Sequence, residues 1–285
     1  VNTGDSREDR LRAVNEALAT WRQGDCSLGD AWFVFRLEPS LPLTRAAEEA
    51  ASDGETLAEA KVHGFAVLTQ TCDIVRPCKE RPFVEVAPLV EVDDNHLVEI
   101  RRGYRPQYAY IPGVADQNLV ADLDRVMTVE KTVVARWERK PGCSTDKEVR
   151  ALAQAVSRKR ARFAFPDDFA EFVNPLQGRI KEKHGKASPE GEALRALIEI
   201  RVRAEPSWEA KTIKLLFYFI RNLREVTFQG RNWNYFREQW LALVPERGRY
   251  TSVDGIVVTH DDIKAREYLE SDRLDLDHLS LPREG

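Results

Sequence analysis

The apolar positions of this 285-residue chain switch period several times. Leu11, Val14, Leu18 and Trp21 fall on one face of a helix spanning 6–21, with Ser6 as a cap and Gly24-Asp25 as the break after it. Ala31–Arg36 is a short apolar strand closed by Pro39 and Pro42. An Ala/Glu-rich stretch at 44–61, interrupted by Gly54, reads as a solvated helical insert. Strands are predicted at 64–69, 82–87 and 96–101, the last two joined by a turn at Asp93-Asp94-Asn95, with a further one within Val126–Val134. Thr145 and Glu148 form a capping box for a helix that buries Val149, Leu152, Ala153 and Val156. A helix over 167–184 is interrupted by Pro175, and Ser188-Pro189 starts another. Ile198–Arg203 alternates apolar and charged residues as a half-exposed strand does, and Thr212–Ile220 is its partner. Trp233, Phe236, Trp240 and Leu243 recur at helical spacing and read as core rather than as a site. A strand at 255–259 and a helix at 261–269 complete an α+β pattern.

These elements group into an N-terminal helix (1–22), a barrel-like segment (23–140, insert 43–62), a helical segment (141–197) and an α+β unit (198–285). Hydrophobic residues make up 42% and charged residues 32%, which is globular rather than disordered composition. The net charge of −4 argues against a protein coated with nucleic acid and leaves room for a local basic face. The longest apolar run, Ile213–Ile220, is too short to span a bilayer and contains Lys214, so no membrane association is expected. The polar N-terminus shows no secretory h-region, and Cys26, Cys72, Cys78 and Cys143 form no C-x-x-C pair; a reducing cytoplasm is expected.

Candidate chemistry concentrates at Thr69-Gln-Thr-Cys-Asp73, an elbow of hydroxyl, amide, thiol and carboxylate between two strands. Cys72 is a nucleophile if a neighbour activates it, or a small core residue. Asp73 is a proton acceptor or the cap of a turn. His63 precedes the same strand and reaches Cys72 only through a sharp fold. Cys72, Cys78, Cys143 and His63 lack zinc spacing, and nucleotide-binding glycine motifs are absent, so no metal or cofactor is expected. Ser157–Phe165 carries Arg158, Lys159, Arg160 and Arg162 with Phe163 and Phe165, a phosphate-neutralising and base-stacking composition. Its alternative is a helix end whose cations answer the terminal carbonyls. Arg101, Arg102, Tyr104, Arg105, Tyr108 and Tyr110 form a second aromatic-basic stretch.

Gly24-Asp25, Val67-Leu68-Thr69 leading to Asp73, and Val84-Glu-Val-Ala-Pro-Leu89 stand in the order seen in the MazF/PemK plasmid-maintenance toxins, and residues 24–92 resemble that family's barrel. The resemblance implies an SH3-like β-barrel and an RNA-cleaving toxin. The family's Arg ahead of the second strand and Thr after the Pro-aliphatic pair are missing here: Val62-His63-Gly64 and Val90 stand in their places. The Thr-Gln-Thr-Cys-Asp-Ile signature also resembles uncharacterised bacterial proteins, some associated with phage defence. The expectation is therefore a cytoplasmic bacterial protein acting on RNA or DNA, a toxin or defence effector. It would be a metal-independent endoribonuclease with Asp73 or His63 as base and Arg76 as cation, Thr69 and Cys72 completing the site. The alternatives are a non-catalytic module binding a protein or nucleic acid within a defence complex, and a cysteine-dependent enzyme using Cys72.

Overall fold

The computed structural model describes residues 7–101, 103, 105–161, 163–222, 228 and 230–274. The chain divides into two compact units, Val1–Ala161 and Arg162–Gly285. Ser6, the expected cap of the first helix, lies outside the described residues.

In the first unit, helix α1 (Arg7–Leu18) precedes β1 (Cys26–Arg36), α2 (Arg45–Ser52) and β2 (Leu57–Val67). A one-turn helix α3 (Thr71–Ile74) follows, then β3 (Phe83–Glu91), α4 (Asp94–Arg101), β4 (Tyr108–Ala109), β5 (Leu119–Asp122), β6 (Met127–Glu130), α5 (Lys131–Val134) and α6 (Asp146–Arg160). The sheet is ordered β1-β2-β3-β5-β4, with β6 pairing β3 off this path, and its described pairings are antiparallel. It does not close: β1 and β4 are its edges. The fold is thus α+β, and the closed barrel expected from the sequence is not formed among the described residues. Gly64 explains one departure from regular pairing. Its φ is +125°, and a Cβ there would lie 2.0 Å from the Ser27 carbonyl oxygen, so only glycine lets β2 pass under the bulge between Leu28 and Ala31. The core lies on both faces of this sheet. Leu18, Trp21, Phe33, Phe65 and Val86 fill one cluster, and Ala66, Ala87, Leu89, Ile111 and Leu152 fill the other.

The expected strand at 96–101 is helix α4. Leu97, Val98 and Ile100 fit either period, and Asp93 decides: its carboxylate accepts the His96 N–H at 2.8 Å, capping a helix where a hairpin turn was expected. The Val126–Val134 segment splits into β6 and α5, and the 44–61 insert into α2 and the first half of β2.

In the second unit, α7 (Asp167–His184) runs unbroken through Pro175, followed by α8 (Pro189–Ala196), β7 (Leu197–Glu205), β8 (Ile213–Arg221), α9 (Trp233–Leu241), β9 (Tyr250–Val258), α10 (Ala265–Leu269) and β10 (Asp272–Arg273). Strand order is β10-β7-β8-β9, with β8 and β9 parallel through the connection that holds α9. Phe169, Phe172, Phe217, Phe219, Phe236 and Trp240 anchor one aromatic core, which makes the 233–243 stripe interior, as its spacing implied. No described helix is long and apolar enough to cross a membrane.

Candidate functional site

The elbow at the end of β2 is a built structure. Leu68 and Thr69 both turn their N–H groups to the Glu85 carbonyl, at 2.9 and 3.4 Å, while Thr69 Oγ1 accepts the Glu85 N–H at 2.7 Å. The Thr69 hydroxyl therefore replaces a ladder bond where the strand ends. Gln23 binds the elbow from behind: its N–H donates to Thr71 Oγ1 at 3.1 Å, and Nε2 donates to the Leu68 carbonyl at 2.8 Å. Lys131 supplies the third anchor. It is 1% exposed, and its Nζ donates to the carbonyls of Asp73 and Arg76 at 2.8 and 2.7 Å. These carbonyls end α3, so a buried cation caps the helix where its last acceptors would otherwise be unmet. Burial holds the Lys131 amine below the usual lysine range, with Cys78 and Asp73 opposing the shift.

In front of the elbow opens a cleft of about 390 Å³. Gln23, Thr69, Asp73 and Glu85 line one side, and Ser157 and Arg160 of α6 line the other. Arg160 pairs with Glu85 at 2.9 Å, and Arg76 stands 3.8 Å from Asp73; all four side chains are substantially exposed. The structure thus joins two groups that lie far apart in sequence, the elbow and the basic end of α6. It does not bring in His63, which lines a separate recess of about 280 Å³ with Asp30, Glu91 and Gln117. From His63 to Thr69 the chain is nearly all extended strand, a span of about 20 Å. Cys72 is exposed rather than buried and is not among the residues lining the cleft; its thiol meets the Gln70 side-chain oxygen at 3.7 Å.

The basic end of α6 is not a stripe. Its three successive cations fan out to three separate segments, two loops and strand β3: Arg158 to the Gly103 carbonyl, Lys159 to Asp124, and Arg160 to Glu85. This anchors the helix end and also ties Gly103 to it. There, Arg105 pairs with Glu99 at 2.6 Å with both side chains mostly covered, and Arg101 lies over the Tyr110 ring at 5.7 Å. Arg102, Tyr104 and Arg162 lie outside the described residues. Phe163 packs tilted and Phe165 edge-on against Trp208 within the second unit.

Three residues that matter here carried little signal in the sequence. Glu85 sits in an alternating strand and reads as merely solvent-facing. Lys131 stands in an apolar segment and reads as its exposed member. Asp25 reads as a turn residue, yet it is 1% exposed and accepts the Arg22 N–H at 2.7 Å, Arg139 Nε at 2.5 Å and the Gly142 N–H at 3.4 Å. Beside it, burial pushes the Cys26 thiol far up and the Cys143 thiol up to about 11, so neither is a ready nucleophile. No group of three His, Cys, Asp or Glu among the described residues is arranged to hold a metal ion. Comparison with protein-family models, with curated proteins and with solved structures finds no match to this chain.

Proposed function

We propose that the first unit is an opened relative of the SH3-like MazF/PemK barrel and acts on RNA at the elbow cleft, as a bacterial toxin or defence effector in the cytoplasm. The observation that carries this reading is the meeting of Asp73 and Arg160 in one solvent-open cleft. Cleavage without a metal needs a base that takes the 2′-hydroxyl proton, a cation for the phosphate, and a proton for the 5′-oxygen that leaves as the P–O5′ bond breaks, which solvent in an open cleft supplies. Asp73 takes the first role. Arg160 takes the second by leaving Glu85, because an exposed ion pair is worth little and a phosphate offers the guanidinium a better bidentate partner. His63 drops out as base, since it lines another recess. The test is incubation with labelled RNA and DNA, with and without chelator. Chelator-resistant RNA cleavage is expected, abolished in Asp73→Ala and strongly reduced in Arg160→Ala. No binding and no cleavage by the wild-type chain would refute it.

A second reading is a non-catalytic binding module. Val90 after Pro88-Leu89 offers no side-chain hydrogen bond, and the cations at the end of α6 already hold partners within the protein. Binding without turnover in the same assay selects it. Loss of turnover on thiol alkylation and in Cys72→Ala would select a cysteine-dependent enzyme instead.

A further inference from the structure

The sheet of the second unit has one apolar face and one charged face. A register shift between Leu197 and Glu199 in β7 sends Ile200 and Val202 into the aromatic core. Glu199, Arg201 and Arg203 then alternate onto the opposite face. Glu199 is 5% exposed there. One of its oxygens lies 3.3 Å from His260 Nε2, and the other lies 3.4 Å from Arg201 Nη1 and 3.7 Å from Arg273 Nε. Arg201 is tied into the structure: it donates to Ser271 Oγ, to the Tyr268 carbonyl and to the Ser271 carbonyl, and its guanidinium lies over the Tyr268 ring at 4.1 Å. His260 differs. It stands two residues beyond the end of β9, at the carboxyl end of the parallel pair β8 and β9, and its side chain is 46% exposed. A buried carboxylate that fixes one imidazole nitrogen while the other side of the ring reaches solvent is how proteins orient a histidine toward a ligand, and the carboxyl ends of parallel strands are where open sheets place ligands.

We propose that His260, oriented by Glu199 and flanked by Arg273, binds a phosphate group at this strand end. The chemistry selects an anion. One buried carboxylate faces two guanidinium groups and an imidazole, so cationic and hydrogen-bonding groups outnumber the acid they surround. Glu199 from β7 and Tyr268 from α10 face the ring, and Arg201 from β7 and Arg273 from β10 share the same Glu199 carboxylate. This site is independent of the cleft in the first unit.

Isothermal titration of the full chain with inorganic phosphate and with AMP tests the proposal. Saturable binding is expected. Affinity should fall about tenfold in His260→Gln, the loss of one charge-assisted hydrogen bond, with the melting temperature unchanged. The part of the binding that is lost in His260→Gln should persist in Arg160→Ala, which separates this site from the elbow cleft. Tighter binding of AMP than of phosphate assigns a nucleotide, and equal binding assigns the free ion. Absence of saturable binding by the wild type, or wild-type affinity in His260→Gln, overturns the site. So does Glu199→Gln that lowers the melting temperature and leaves phosphate affinity intact, because the pair is then purely structural.

Discussion

The two units handle buried charge in opposite ways. In the first, buried ionic groups bind mainly backbone: Lys131 caps the carbonyls of Asp73 and Arg76, and Asp25 takes the N–H groups of Arg22 and Gly142 as well as Arg139. In the second, they bind side chains: Glu190 takes Arg179 and Trp240, and Glu199 takes Arg201 and His260. The difference follows from the sheets. Strands β7, β8 and β9 pair over nearly their whole lengths, so the ladder itself satisfies their backbone. The first sheet bulges at β1, opens between β2 and β3 and passes to β6 off its main path, which leaves loop carbonyls and amides needing partners. Charges buried there hold irregular chain in place, and the candidate cleft is made of that irregular chain. A buried ion in the first unit is therefore a handle on the site, whereas one in the second links finished elements.

The sharpest way to break this contrast is to remove Asp25. Asp25→Ala strands Arg139 and two N–H groups, and should destabilise the protein by about 3–5 kcal/mol in chemical denaturation. A change under 1 kcal/mol would mean the buried carboxylate organises nothing. Lys131→Met comes next. It fills the same space, leaves two carbonyls unmet, and should cost about 2–3 kcal/mol. Amides at 72–76 should lose hydrogen-exchange protection well before the rest of the sheet. The same substitution has a pH signature. The buried amine gives up its proton below the ordinary 10.5, so between its folded value and 10.5 the unfolded chain binds more protons, and wild-type stability rises with pH. Lys131→Met should abolish that rise.

Much of the architecture was legible because its signals were local. The capping box of α6 forms as Thr145 and Glu148 imply, with Glu148 Oε2 accepting the Ser144 and Thr145 N–H groups. The alternation of Ile198–Arg203 gives a strand whose buried face is Ile200 and Val202, although at its start Ile198 is exposed and Glu199 buried, and the spacing of Phe236 and Trp240 gives a buried helix face. The elbow was legible as a cluster of polar types bounded by strands. What could not be read depends on where a residue ends up in space. Lys131 looks like any exposed lysine until α5 turns it under the α3 carbonyls. Glu85 becomes part of a cleft only because α6 returns across the sheet. His63 looked close to Cys72 in sequence, but an extended strand carries them apart as fast as a chain can. At 96–101 the apolar positions served two periods equally, and a single capping aspartate outside the segment made the choice.

The weakest effect expected is at an exposed pair, and it sharpens the contrast by showing what a charge does when it is not buried. Arg249 binds both oxygens of Asp168 at 2.6 Å within the second unit, and the Asp168 carboxylate is half exposed. Hydrogen bonds from Arg249 hold Asp168 below its ordinary 3.8, with desolvation opposing. The folded state thus takes up this proton less readily than the unfolded state. The stabilisation is fully present above about pH 4 and is lost as pH falls through the folded value. Solvent screening limits it to about 0.5–1 kcal/mol at neutral pH. Asp168→Asn should therefore lower stability by that amount at pH 7 and converge on the wild type in acid, whereas Asp25→Ala should lie several kcal/mol below the wild type at pH 7. A deficit in Asp168→Asn as large as that in Asp25→Ala would show that geometry rather than burial sets the worth of these ions, and the division between the two units would lose its physical basis.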